Sequence, residues 1–270
     1  MARHRLSRVF AGSLLAGALT LGATTEWSST VVAQQPPFRW QGQLAAGQTI
    51  EVRGINGDIR ATGVPGADAE VTAVKHARRS DPNSVRINVE QHGDGVTICA
   101  VYPTTGGSQP NDCRQGSGNG VRDNDVQVDF TVRVPVGVNL VARTVNGGIA
   151  ADATSANADL KTVNGAVQFS TAGYGQAETV NGSITASLQR ADWTEPLEFR
   201  TVNGGITVDL PADTNAEVHA RVVNGSITSD FPMVVSGRLD PRRANLKLGS
   251  GGRRLDVQTV NGSIELRRTQ

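Results

Sequence analysis

Thr-Val-Asn-Gly-Gly-Ile occupies residues 144–149, and close copies of this hexapeptide return along the chain. They read Thr-Val-Asn-Gly-Ala-Val at 162–167, Thr-Val-Asn-Gly-Ser-Ile at 179–184, Thr-Val-Asn-Gly-Gly-Ile at 201–206, Val-Val-Asn-Gly-Ser-Ile at 222–227 and Thr-Val-Asn-Gly-Ser-Ile at 259–264. An early copy, Gly-Ile-Asn-Gly-Asp-Ile, stands at 54–59. The Asn-Gly pairs are Asn56-Gly57, Asn146-Gly147, Asn164-Gly165, Asn181-Gly182, Asn203-Gly204, Asn224-Gly225 and Asn261-Gly262. From Asn146 onward the steps between them are 18, 17, 22, 21 and 37 residues. The last step is about two units long and contains Gly249-Ser250-Gly251-Gly252, which reads as a degenerate turn. Recurrence at such a period marks stacked structural units.

The flanks give the secondary structure. Apolar residues alternate before the Asn-Gly pair (Ile50 and Val52, Leu197 and Phe199, Leu255 and Val257) and again after it (Ile206, Val208, Leu210). A period of two on both sides excludes helix. The step from Asn203 to Ile206 is odd, so one residue is absorbed at Asn-Gly, as where a strand bends and Gly takes a conformation that other residues avoid. Each unit is therefore predicted as strand, Asn-Gly corner, strand, return turn. An Asn-Gly hairpin is the alternative. Near-identical copies at this spacing favour like stacking on like, hence an all-β, β-helix-like solenoid of Asn-Gly-cornered rungs. Parity places each Asn on the core side with its Thr. The expectation is an inward Asn column whose amides bond from rung to rung or to corner backbone. The preceding residues, Ile55, Val145, Val163, Val180, Val202, Val223 and Val260, have the opposite parity and would form an outward apolar stripe, a candidate contact surface. Cover by the N-terminal segment or by the corner twist is the alternative.

The first 33 residues read as a secretory signal: Arg3, Arg5 and Arg8 without an acid, an apolar small-residue stretch, then Val31-Val32-Ala33. Cleavage after Ala33 leaves 23 basic and 24 acidic residues in a chain whose full 270 residues carry +1. This balance argues against a nucleic-acid partner. No later apolar run reaches membrane-spanning length. The expected location is outside the cytoplasm, periplasmic or at the cell surface. Residues 34–137 read as an irregular N-terminal β region, with 104–125 as a mobile Gly/Ser/Asn/Asp-rich loop, and 138–270 as the regular repeats. The early copy at 54–59 suggests that the two share one sheet system. Export permits a disulfide, and a Cys99–Cys113 bridge would close the loop. Two thiols are too few for a four-thiolate zinc site.

Nothing in the sequence assembles a catalytic, cofactor or metal site. His76, His92 and His219 are scattered, and His4 lies in the signal. Asp123, Asp125 and Asp129 fit no calcium-loop template. Gly116-Ser117-Gly118-Asn119-Gly120 opens no helix that could cradle phosphate, and no nucleophile elbow or metalloprotease helix appears. A β-helix enzyme acting on polysaccharide, as lyase or hydrolase, is the alternative to a non-enzymatic protein. Its carboxylates and bases would come from outward residues such as Glu178, Glu198, Arg200, His219 and Arg221.

The repeated Thr-Val-Asn-Gly-x-Ile behind a signal resembles the bacterial putative-adhesin family of β-strand repeats. It is also similar to the related head-GIN-domain proteins, whose name Gly54-Ile55-Asn56 repeats. The resemblance spans about residues 38–270, and the stretch from Gly249 to Ile264 looks like that family's C-terminal end. It implies a right-handed β-helix-like fold in an exported bacterial protein; the repeat and the lack of a catalytic constellation favour a non-enzymatic role in adhesion, scaffolding or binding to a protein or glycan at the envelope. The resemblance implies no catalytic residues. The Cys-containing loop and the long last step depart from the family's simple pattern.

Overall fold

Alternating burial is the rule along every repeat: Ile206, Val208 and Leu210 are buried while Thr207 and Asp209 between them are half-exposed. The computed structural model describes residues 37–103, 123–232, 234–235 and 242–269. The signal at 1–33, most of the Gly-rich loop and Cys113 lie outside these residues.

Backbone hydrogen bonds collect the strands into two sheets. From edge to edge, the first runs Phe38–Gln43, Asp68–His76, Gln127–Pro135, Ile59–Val64, Ile149–Thr154, Val167–Thr171, Ile184–Leu188, Ile206–Pro211, Ile264–Thr269 and Ile227–Ser229. The second runs Val234–Val235, Arg243–Leu248, Ala216–Asn224, Arg253–Asn261, Leu197–Arg200, Gly175–Glu178, Ala158–Lys161, Asn139–Arg143, Thr49–Arg53, Gly95–Val101 and Arg86–His92. Pairing between successive rungs is parallel, and equivalent residues meet in register. Ile184 lies between Val167 and Ile206, and Ile264 between Ile206 and Ile227. Residues 37–270 form one compact unit, a β-solenoid whose core is the space between the sheets. Phe169 from one sheet and Phe199 from the other stack there, ring centroids 6.3 Å apart.

Rung order departs from chain order at both ends. The rung built from Gly95–Val101 and Gln127–Pro135 sits outside the earlier rung, Thr49–Arg53 with Ile59–Val64. At the other end the final rung slips between Leu197–Pro211 and Ala216–Ser229. The last 37-residue step therefore does not hold two stacked rungs, as its length suggests. Arg243–Leu248 instead returns antiparallel along one side of Ala216–Asn224, and Arg253–Asn261 then runs parallel along its other side. Gly249–Gly252 makes that reversal, fixed by Asn215 Oδ1, which accepts from the Ser250 amide at 2.7 Å and the Ser250 hydroxyl at 3.0 Å. Antiparallel strands cover the stack where parallel edges would be left open: Asp68–His76 and Arg86–His92 at one end, Arg243–Leu248 at the other. Unpaired edges template aggregation, so such covers suit a free-standing stack.

The corners explain two letters of the repeat. Each Gly carbonyl lies about where the Cβ of the next rung's residue would stand. A Cβ on Gly165 would sit 2.0 Å from Gly147 O, and one on Gly182 would sit 1.9 Å from Gly165 O. Neither glycine has a left-handed φ. At these two positions close backbone approach excludes a side chain, while Gly57, Gly204, Gly225 and Gly262 also take the positive φ inferred from sequence. The same carbonyls receive the buried Thr hydroxyl of the next rung. Thr162 donates to Gly147 O at 2.8 Å, Thr179 to Gly165 O at 2.9 Å, Thr201 to Gly182 O at 2.8 Å and Thr259 to Gly204 O at 2.8 Å. Thr is thus needed for shape and for a donor that reaches the Gly carbonyl the bend turns inward. Val222, buried at 2% exposure, occupies this position beside Gly262 without a hydroxyl.

Thr201→Val is expected to destabilise the fold by about 1–3 kcal/mol, the loss for a buried acceptor left unpaired, and Val222→Thr to stabilise it by about 0.5–1.5 kcal/mol. Urea unfolding of the two variants checks both signs. Gly182→Ala should cost about 3 kcal/mol or fail to fold. Gly205→Ala, whose Cβ would approach nothing closer than 3.3 Å, should melt within a few degrees of the parent chain.

Candidate functional site

At each corner the chain turns outward for two consecutive residues. Val163, Val180, Val202, Val260 and Val223 are 36%, 37%, 38%, 37% and 51% exposed. In the stacked order they form one column. Val145 is only partly exposed and Ile55 is buried, where Tyr102 packs beside the first corner and donates its hydroxyl to Val126 O at 2.9 Å. Burial pushes the Tyr102 phenol up to about 12.

The Asn side chains stand beside the Val column. They do not point into the core as parity suggested, for Asn146, Asn164, Asn181, Asn203, Asn261 and Asn224 are all exposed. Alternation fails at the corner because the bend carries Val and Asn together to the outside, leaving Thr as the last inward residue. The rung-to-rung amide bond does form, on the surface. Each Nδ2 donates to the Oδ1 of the preceding rung: Asn146 to Asn56, Asn164 to Asn146, Asn181 to Asn164, Asn261 to Asn203 and Asn224 to Asn261 at 2.8 Å, and Asn203 to Asn181 at 2.7 Å. Asn56 ends the series on Val126 O at 3.4 Å. Beneath the amides the backbone ladder continues through the bend. Asn181 N donates to Val163 O at 2.7 Å and Gly182 N to Asn203 O at 2.9 Å.

This edge carries no charge over six rungs. Between Val145-Asn146-Gly147-Gly148 and Val223-Asn224-Gly225-Ser226, the four corner positions hold only Val, Asn, Gly, Ala and Ser. The first rung differs. Asp58 accepts from the Gly148 amide at 2.9 Å and pairs with Arg60 at 2.7 Å. Each ladder amide keeps one N–H and one acceptor lone pair beyond those used along the column, so the edge offers repeated polar contacts beside an apolar strip, one β spacing of about 4.8 Å apart.

The residues considered for catalysis lie elsewhere, on the outer face of the second sheet, and Glu178, Glu198 and Arg200 among them are engaged in ion pairs. Glu178 faces Lys161 at 3.5 Å, Glu198 pairs with Arg200, and Asp256 pairs with Arg254 at 2.7 Å. Glu51 meets Arg53 at 2.7 Å and Arg143 at 3.5 Å. His219 Nδ1 lies 2.9 Å from Asn245 Oδ1. The hollow between Glu178 and Glu198 encloses only about 20 Å³. A larger recess of about 500 Å³ lies among Gln41, Gln43, Asp68, Glu70 and Arg133. There Arg39 and Gln41 hydrogen bonds hold the Glu70 carboxyl below its ordinary range, the reverse of what a general acid needs. Among the described residues no three His, Cys, Asp or Glu side chains gather as metal ligands, and no helix is long and apolar enough to cross a membrane. Cys99 is buried and disulfide-bonded.

Of the three clustered aspartates, Asp129 accepts from the Asp58 amide at 2.9 Å. Asp125 is a loop clamp, accepting from the amides of Ser80 at 2.8 Å, Arg79 at 3.0 Å and Arg78 at 3.3 Å. These bonds, the Ser80 amide first, hold its carboxyl down to about 2.

A family model described as Toastrack DUF4097 matches residues 110–267. Among solved structures, the chain is similar to a putative cell adhesion protein from Clostridium sporogenes, at 12% identity and a TM-score of 0.42, over 87% of this chain and 100% of that one. It is also similar to a putative adhesin from Bacteroides fragilis, at 12% identity and 0.28 over 87% and 98%. A putative adhesin from Parabacteroides merdae follows at 12% and 0.26, over 87% and 97%. No curated protein matches the chain.

Because the folded pKa of Asp125 lies below its ordinary 3.8, the clamp is complete above about pH 4 and is lost as pH falls toward about 2. Amide exchange at residues 78–80 should lose protection across that window. An Asp125→Asn chain should show no such pH dependence.

Proposed function

The chain belongs to the Toastrack DUF4097 family, and from that premise we propose that it is an exported, non-enzymatic bacterial protein that makes contacts at the cell envelope through its corner edge. The observation that carries this reading is the uncharged, solvent-facing edge of aligned Val and Asn columns, continuous over six rungs. Exposed apolar side chains in a contiguous strip mark interaction surfaces far more than isolated ones do. Here the backbone beneath them is held rigid by an unbroken hydrogen-bond ladder. Rigidity lowers the ordering cost of binding, which suits adhesion or scaffolding. The ion-paired carboxylates of the second sheet and the shallow hollow between them favour a non-enzymatic role. The sequence signal at 1–33 is the basis for export.

The test places a photo-crosslinking residue at Val202 on the corner, and at Arg267 on the outer face of the first sheet as control, in cells that make the protein. Fractionation with the envelope or the medium, and capture from Val202 but not from Arg267, is expected. A cytosolic fraction, or equal capture from both positions, overturns the proposal.

A further inference from the structure

We propose that the occupant of the corner edge is the corner edge of a second copy of this chain, the two solenoids lying antiparallel. This rests on the reading of the edge as a contact surface and names its partner. The first argument is periodicity. Exposed Val and Asn recur once per rung, about 4.8 Å apart, perpendicular to the strands. A globular surface or an extended peptide, whose residues advance about 3.3 Å, falls out of step with such a column within two or three rungs. Another stack of in-register β rungs keeps step along its length, which is how aligned side-chain columns interdigitate between paired sheets. A copy of this chain supplies such a stack with the same spacing.

Charge is the second argument. Six rungs of the edge are neutral, so two copies meet without buried charge or like-charge repulsion. The exception, Asp58 in the first rung, is placed at one end of the column. A parallel pair brings the two Asp58 carboxylates together. An antiparallel pair sets each against the neutral Val223–Ser226 corner of its partner. The amide ladder points the same way. All its Nδ2 groups donate toward the Asn56 end, so each column has an aligned set of side-chain dipoles, and two such sets attract when opposed.

The area fixes the strength. A strip six rungs long and three residues wide covers roughly 300 Å² per copy, well short of the roughly 800 Å² per partner of a stable complex. One pair is therefore weak and reversible. Many copies on one surface, or on facing surfaces, gain strength by multivalency.

The experiment uses the full chain as encoded. Sedimentation velocity over a concentration series into the millimolar range is expected to show a monomer–dimer equilibrium. Val163→Lys/Val202→Lys, which introduces exposed charges on alternate rungs, should weaken association at least tenfold with an unchanged melting temperature. Val180→Thr/Val202→Thr, a milder pair, should weaken it severalfold. Under mild oxidation Val180→Cys, the corner that the antiparallel register sets against itself, should self-link at least tenfold faster than Val223→Cys at the end of the column. A monomer at all concentrations overturns the inference, as do lysine variants that associate like the parent. Equal linking at both positions overturns the antiparallel order. Envelope capture from position 202 by a chain that stays monomeric leaves the proposed function standing and removes only this partner.

Discussion

At the six corners from Gly147 to Gly225, the neighbouring rung's glycine carbonyl lies about 2 Å from where a Cβ would be. Two backbones can approach this closely only if no side chain intervenes, and the rest of the repeat follows from that contact. With the Gly fixed, its carbonyl turns inward out of reach of water, and a Thr hydroxyl from the adjoining rung must satisfy it. With the bend fixed, the residues before the Gly are thrown outward together, and Asn is suited to that exposed position because its amide both donates and accepts along the stack. The hexapeptide is thus one contact written in several side chains, and close copies of it recur because the same contact is made at each level.

Much of this was legible in the residues. Alternation located the strands on both sides of each Asn-Gly pair, and the spacing of the copies gave the parallel stack. Thr201 was placed on the core side by parity, and Val222 at the equivalent place supported it. The direction of Asn203 was misread because parity holds only while the chain stays extended, and the bend begins one residue earlier, at Val202. The order of the rungs was not legible at all. Hexapeptides as alike as those at 179–184 and 259–264 carry no address, so nothing local says that Asn261 inserts between Asn203 and Asn224 rather than stacking beyond Asn224. That choice is made by Arg243–Leu248, which claims the outer side of Ala216–Asn224 and leaves only the inner side free. Trp193 also escaped notice. It is buried at 1% exposure with its indole N–H donated to Arg254 O at 3.1 Å, and its sole trace in the sequence is the longer step from Asn181 to Asn203.

The surface divides by chemistry. The outer face of the second sheet carries neighbouring opposite charges, where Glu51, Asp159, Glu178 and Asp256 each face a cation on their own or the next rung. Such pairs keep the face hydrated and contribute little to stability. The corner edge is the neutral counterpart, where polar groups bond along the stack and leave methyl groups exposed beside them. A partner gains more at the second surface than at the first, since it displaces water from apolar side chains without stripping ions.

The interleaving at the two ends bears on how the protein is made. Asn56 meets Asn146 across 90 residues and Asn203 meets Asn261 across 58, and loops of such length close slowly. The early segment around Asn56 has no rung on either side until residue 95 onward arrives, and its slot is closed only when Asn139–Thr154 follows. The slot beside Leu197–Pro211 waits for the very end of the chain. Synthesis order and assembly order therefore disagree at both termini, and the finished stack can lock only after the whole polypeptide is present. Under the export proposed above, a fold that cannot be completed early keeps the chain threadable until it has crossed the membrane.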